Sequence, residues 1–395
     1  MLDIFTKTFL LVSAFFWIGG MSSYAPQEMF VQYSAFLALA LSFWIPKIRT
    51  VKSGWISLIF GYLVLQTLIF NFDVMPRFTL VNVLLSVYLI QFFSERTMYP
   101  IKSIGKWFIG FAALNIFWMF LQHHNIDPIF VSSNPVAKPE VDIVGFFGGK
   151  FAMGCWAGLA LPFVFSVHPI FTVILLPLIF MSHSSTAAIG ALVSFFFMMW
   201  MRNKRLALYL FGAFAILATL YVLKVDMPSG QFEKRFPVWL ACITLSKENW
   251  WFGSGLGMWK ELGLMTTQET SKELLHWSWV HNEYLQFMFE AGFIGLILLL
   301  GYIYNSVKFL IRFVKFDKEL QAIMASLISL ILISLVHFPF HIGRLAALSI
   351  FILALVEAKK SDIKNSLPKK EEITHETSCA TGNSRTRIHT DWLAV

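Results

Sequence analysis

Residues 281–307 read HNEYLQFMFEAGFIGLILLLGYIYNSV. A long polar segment closes at His281 and Asn282, and an apolar run, 284–307, follows at once. A run of about 20 apolar residues crosses a bilayer as a helix, because the helix satisfies every backbone polar group internally. His281 is therefore predicted at the first turn of a spanning helix, at a membrane surface. Unpaired backbone N–H groups and the positive dipole end favour a neutral imidazole there and can also hold an anion. Asn282 is suited to cap that helix or to orient the imidazole. Gly292 and Gly295 are predicted to share one face and to permit close helix contact.

Outward from this stretch, apolar runs of spanning length recur at 4–20, 29–45, 54–72, 78–93, 104–122, 147–166, 168–182, 184–201, 205–223, 320–337 and 341–357. With 284–307 they predict an all-α integral membrane protein of about twelve transmembrane helices and one large outer loop. Composition agrees: 57% of residues are hydrophobic and 14% charged, with 42 Phe and 14 Trp suited to lipid-facing surfaces and interfacial belts. The first run has too weak a basic flank and too poor a cleavage site for a signal peptide and reads as a retained helix. Residues 1–122 read as N-terminal spanning helices and 123–360 as the functional membrane domain. The polar stretch 361–395 reads as a disordered cytoplasmic tail.

Charge sets the orientation. Lys47, Arg49 and Lys52, then Arg96, Lys102 and Lys106, then Arg202, Lys204 and Arg205, then Lys308, Arg312, Lys315 and Lys318, and finally Lys359, Lys360 and Lys364 all fall on one side. By the positive-inside rule that side is cytoplasmic. The net charge of +8 is mostly this signal; nucleic-acid binding would want one basic face. Cys155, Cys242 and Cys379 give neither a disulfide framework nor a metal spacing, and no cofactor or metal is expected.

Segments 123–146 and 224–283 then lie outside, and the second is too long for a simple connector. Pro237 is predicted in the first turn of a helix that ends near 247–249. Trp250, Trp251, Phe252 and Trp259 are placed in the bilayer interface, and Gly253-Ser254-Gly255-Leu256-Gly257 in a flexible turn. This turn is neither a dinucleotide fingerprint nor a P-loop, since no strand precedes it and no Lys-Ser/Thr follows. Arg235 can hold a diphosphate bidentately without losing its charge. Taken singly, Arg235 reads rather as an interfacial anchor paired with lipid phosphate or Glu233, and His281 as a self-satisfied helix-end histidine. Gly145–Lys150, Ser182–Thr186 and His337–Arg344 fall on the same outer side. Their convergence raises the functional reading.

In order and spacing these residues resemble the O-antigen ligase and polymerase family, multispanning bacterial enzymes with a C-type glycosyltransferase fold. His281-Asn282, nine residues, then Gly292-Phe293-Ile294-Gly295 is similar to the family's His-Asn-x9-Gly-x-x-Gly. Arg235, Trp239 and the glycine turn resemble its Arg-x-x-x-Trp element, Gly145–Gly148 its earlier outer-face entry, and His337-Phe338-Pro339 its closing His-x-Pro. His183-Ser184-Ser185 lacks the Arg often found at that turn, and Gly149-Lys150 stands where Asn is common. The resemblance covers most of 140–345. It implies transfer of a polyprenyl-diphosphate-linked glycan to a glycan, lipid-core or protein hydroxyl, at the periplasmic face of the bacterial inner membrane. His281 and Arg235 would be catalytic, with Asn282, Trp239, Lys150, His337 and Arg344 binding substrate. The rival is a transporter or flippase for a lipid-linked glycan, which predicts ionisable residues deep in the spans and repeated halves.

Overall fold

The computed structural model describes residues 2–15, 25–70, 74–96, 100–126, 143–147, 149–213, 230–259 and 279–366. All regular elements among these residues are helical. They are α1 (Leu2–Phe15), α2 (Ala25–Ser42), α3 (Gly54–Phe70), α4 (Val74–Arg96), α5 (Ile101–His123), α6 (Lys150–Val167), α7 (Leu176–Met181), α8 (Ser185–Arg202), α9 (Gly230–Ser246), α10 (Glu283–Phe313), α11 (Lys318–Ser334) and α12 (Gly343–Ser366). By length and composition α5, α6, α8 and α10 are able to cross a membrane.

Several expectations need correction. The run 168–182 is not one helix but a 3₁₀ segment, Pro169–Leu175, followed by the six-residue α7. Pro169 and Pro177 each remove an N–H that a continuous α-helix would need. The last helix runs to Ser366, past the point where a disordered tail was expected; residues 367–395 lie outside the described ones. So do 127–142, 214–229 and 260–278, and with them the second half of the predicted span 205–223.

α6 is the central helix. Its residues 152–165 are all buried, and it packs on α5, α8 and α11. Small residues allow that approach: a Cβ at Gly158 would press on the Ala187 carbonyl at 3.3 Å, and one at Gly154 would collide with Ser182. Aromatic edges fill the remaining space, with Trp156 against Phe108 at 5.2 Å and against Phe111 at 4.8 Å.

The ends of the bundle differ chemically. At one end Lys47 pairs with Glu95 at 3.1 Å, Lys359 with Glu319 at 2.7 Å, and Arg49 with Asp362. These are the loops that the charge pattern placed together. At the other end of α11, about 25 Å away for a helix of that length, sit His337 and its neighbours.

α10 is not a straight helix. Gly292 has φ 70° and ψ −179°, a conformation open to glycine only, and breaks the helix there. The segment 250–255 lies along the break. Ser254 N donates to Phe289 O at 2.8 Å and Gly255 N to Glu290 O at 2.9 Å, while Phe293 N donates to Trp250 O at 2.8 Å. Tyr62 Oη on α3 donates to Ala291 O at 2.6 Å, and Gln66 Nε2 to Glu290 O at 2.7 Å. The groups that the break exposes are thus re-satisfied by protein. Gly292 therefore serves the break rather than a shared packing face. Gly295 does pack closely, with Tyr62 Cε1 3.2 Å from where its Cβ would stand.

Candidate active site

Four elements meet at the polar end: the start of α6, α9, the start of α10 and the loop after α11. α9 begins at Gly230, so Pro237 sits inside it rather than in its first turn. One helical hydrogen bond is lost at Pro237, and the helix continues to Ser246. Val238 and Cys242 bury one face of α9 against Trp259, Val280 and Phe289. Trp259 is therefore core, 0% exposed, not interfacial. The glycine turn is likewise buried and docked on α10, with positive φ at Gly253, Gly255 and Gly257.

Arg235 projects from α9 to the loop after α11. Its Nη1 donates to Val336 O at 3.0 Å, and its Nη2 lies 3.4 Å from His337 Nε2. A guanidinium can only donate, so His337 Nε2 is the acceptor and the ring proton sits on Nδ1. Nδ1 is buried with no hydrogen-bond partner among the described residues. Phe151, the second residue of α6, stacks on His337 with centroids 3.6 Å apart. His281 completes the cluster, 5.9 Å from the His337 ring and edge-on to Phe338 at 4.6 Å.

Burial, then the positive charge of Arg235, pushes His281 down from 6.5 to about 3 and His337 to about 2. Both imidazoles are neutral at neutral pH, as expected for His281, but burial rather than the helix dipole is the main cause. Burial also lowers Arg235 below its ordinary value.

The remaining predicted residues are placed as follows. Asn282 caps α10, its side chain accepting from Tyr284 N and Leu285 N at 3.0 Å each. His281 just precedes the cap, held at φ 57°. Trp239 Nε1 donates to Val280 O at 3.0 Å and so ties α9 to the residue before His281. Lys150 is half-buried at the head of α6, next in the chain to Phe151. The side chain of Arg344 lies outside the described residues. Ser182 and Ser184 use their hydroxyls on the turn and on the α8 cap.

A second polar chain adjoins the cluster and was not anticipated. Glu283 lies 3.2 Å from His341 Nδ1 and accepts from Phe340 N at 2.8 Å. Gln286 Nε2 lies 3.2 Å from His341 Nε2 and donates to Glu290 at 3.0 Å, and Glu290 accepts Gly257 N at 2.9 Å. The i, i+3, i+7 spacing of Glu283, Gln286 and Glu290 on α10 was the available signal. This chain borders an apolar cavity of about 440 Å³ that runs between α3, α4, α10 and α11.

A guanidinium and two neutral imidazoles are thus gathered at one end of the helical bundle. A family model described as O-antigen ligase matches residues 170–300, and this bears out the resemblance to the O-antigen ligase and polymerase family. The matched region includes Arg235, Trp239, His281, Asn282, Gly292 and Gly295. No curated protein matches the chain.

Proposed function

We propose that the protein transfers a glycan from a polyprenyl-diphosphate carrier to an acceptor hydroxyl, at the outer face of a bacterial cytoplasmic membrane crossed by about twelve helices. The observation that carries the reading is the contact of Arg235 with His337, beside His281; Arg235 and His281 lie in the region matched to the family, and His337 lies beyond it. A fixed positive charge and a buried imidazole N–H without an acceptor among the described residues are both complementary to diphosphate oxygens.

In the proposed reaction the acceptor oxygen attacks the anomeric carbon. The bond from that carbon to the phosphate oxygen breaks, and its electrons leave with the polyprenyl diphosphate. Arg235 meets the charge that develops on the leaving oxygens, which places the positive charge on a side chain and calls for no metal. His337, locked by Arg235 with its proton on Nδ1, offers a second donor. His281 is neutral and accepts the hydrogen bond, and then the proton, of the acceptor hydroxyl. Its low affinity for protons in the empty site rises once a diphosphate anion offsets Arg235. Lys150 and Arg344 reinforce the anion site; Asn282 and Trp239 fix the backbone around His281. Ligase and polymerase outcomes differ only in the acceptor.

The test is transfer from a purified polyprenyl-diphosphate glycan by reconstituted protein, with lipid-core, protein and lipid-linked acceptors offered in turn. Product with any acceptor supports the reading. Movement of the intact carrier across the bilayer without transfer would replace it with the flippase reading.

A further inference from the structure

At the opposite, basic end of the bundle lies a second cavity, of about 320 Å³, lined by Lys52, Gly54, Trp55, Asn305, Lys360 and Lys364 among others. Its charge is unbalanced. Lys360 is buried and already matched, by Glu357 at 2.8 Å and by Ser306 Oγ at 3.4 Å. Lys52 and Lys364 have exposed side chains and no acidic partner among the described residues. Among the described residues Glu357 is the only carboxylate in the lining, so two positive charges remain there. The first turn of α3 opens into the same space, and nothing lies within 4 Å of where a Gly54 side chain would start. In that first turn Ile56 N donates to Ser53 Oγ at 3.4 Å and Ser57 N to Ser53 O at 3.1 Å, while the N–H groups of Gly54 and Trp55 have no intrahelical acceptor.

The apolar surroundings select among anions. Trp55 lies against α10 beside Gly301, an aromatic at headgroup level. The next residue, Ile56, lines the 440 Å³ apolar cavity, whose lining includes Tyr302 and Leu353. A cationic pocket whose lining residue Trp55 is followed along α3 by a residue of the apolar cavity suits a phosphate attached to a hydrocarbon chain better than a free anion. The geometry points to a binding site for the headgroup of an anionic phospholipid, held by Lys52, Lys364 and the start of α3. Its cationic end lies at the opposite end of the bundle from the proposed transfer site, although the apolar groove also reaches Glu283 and His341 beside that site, and the inference does not depend on the transfer reading.

Native mass spectrometry of the detergent-purified full-length chain tests this, with phosphatidylglycerol, phosphatidylcholine and inorganic diphosphate as probes. Phosphatidylglycerol is expected to bind in preference to phosphatidylcholine. Each of Lys52→Gln and Lys364→Gln should weaken it about fivefold at low salt. Both side chains are exposed, so neither variant should unfold. Equal binding of the two lipids, or binding of phosphatidylglycerol unchanged in the double variant, would overturn the site. Lysine-dependent binding of diphosphate but not of phosphatidylglycerol would overturn the lipid and assign the pocket to a soluble phosphate.

Discussion

Arg235 is held by two partners, a carbonyl and an imidazole, both of which accept from its planar fork. Lysine cannot reproduce that fork. Arg235→Lys should therefore lose most transfer activity, and Arg235→Ala more, at nearly normal membrane abundance; full activity of Arg235→Ala would reduce the residue to an anchor. Loss of general-base help at His281→Ala should cost ~10²–10⁴-fold in turnover. His281→Gln separates orientation from proton transfer, because glutamine bonds but does not take the proton. Acidity acts on stability as well. The unfolded chain protonates these histidines near 6.5, whereas the folded, donor-free protein resists until about 3 for His281 and about 2 for His337. The unfolded state binds more protons in that window, so stability falls as pH falls from about 6.5. Thermal unfolding in detergent at pH 7.5 and pH 5 should show this drop, and His337→Asn should lessen it. That Arg235 and His281 meet at one end of the bundle was legible because each sits in a spaced pattern. Glu283 with His341, and Phe151 with His337, were not: the pairs lie 58 and 186 residues apart, and only packing brings them together.

At the scale of elements, the break in α10 is the feature that hydropathy misses. A window over 284–307 sees one apolar run, and Gly292 looks like a packing glycine. Its φ of 70° makes it a hinge residue instead, and a Cβ there would collide with the backbone of Trp251. Gly292→Ala should destabilise by about 1–3 kcal/mol from backbone strain alone, with the clash adding to it. Gly110 on α5 is the control. It has open space around it, and Gly110→Ala should be neutral or slightly stabilising. Equal thermal stability of the two variants would contradict the account of the break. The glycine turn was read as flexible for a related reason. Its residues carry no periodicity, and its order comes from hydrogen bonds to α10 that lie some 35 residues further along the chain.

For the whole molecule, the helical class and most helix positions were readable, because lipid imposes one solution on long apolar runs. The run at 168–182 failed that reading because average hydropathy is blind to Pro169 and Pro177. Two-faced sidedness was also readable: the ion pairs of Lys47, Arg49 and Lys359 join loops assigned to one side by charge alone. Reporter fusions after Lys260 and Lys364 should report the outer compartment and the cytoplasm respectively. A cytoplasmic signal at Lys260 would put Arg235 and His281 in the wrong compartment and end the proposed transfer reaction.

The pairing of 250–255 with the broken α10 also bears on how the protein is made. Until that segment arrives, Phe289, Glu290 and Phe293 would leave backbone groups unbonded in hydrocarbon, each at a cost of several kcal/mol. During synthesis α10 can enter the bilayer as a straight apolar rod, but it reaches its final shape only after the preceding loop folds onto it. Completion of α10 is thus expected as a late step, governed by docking of the segment 250–255 rather than by insertion of the helices themselves.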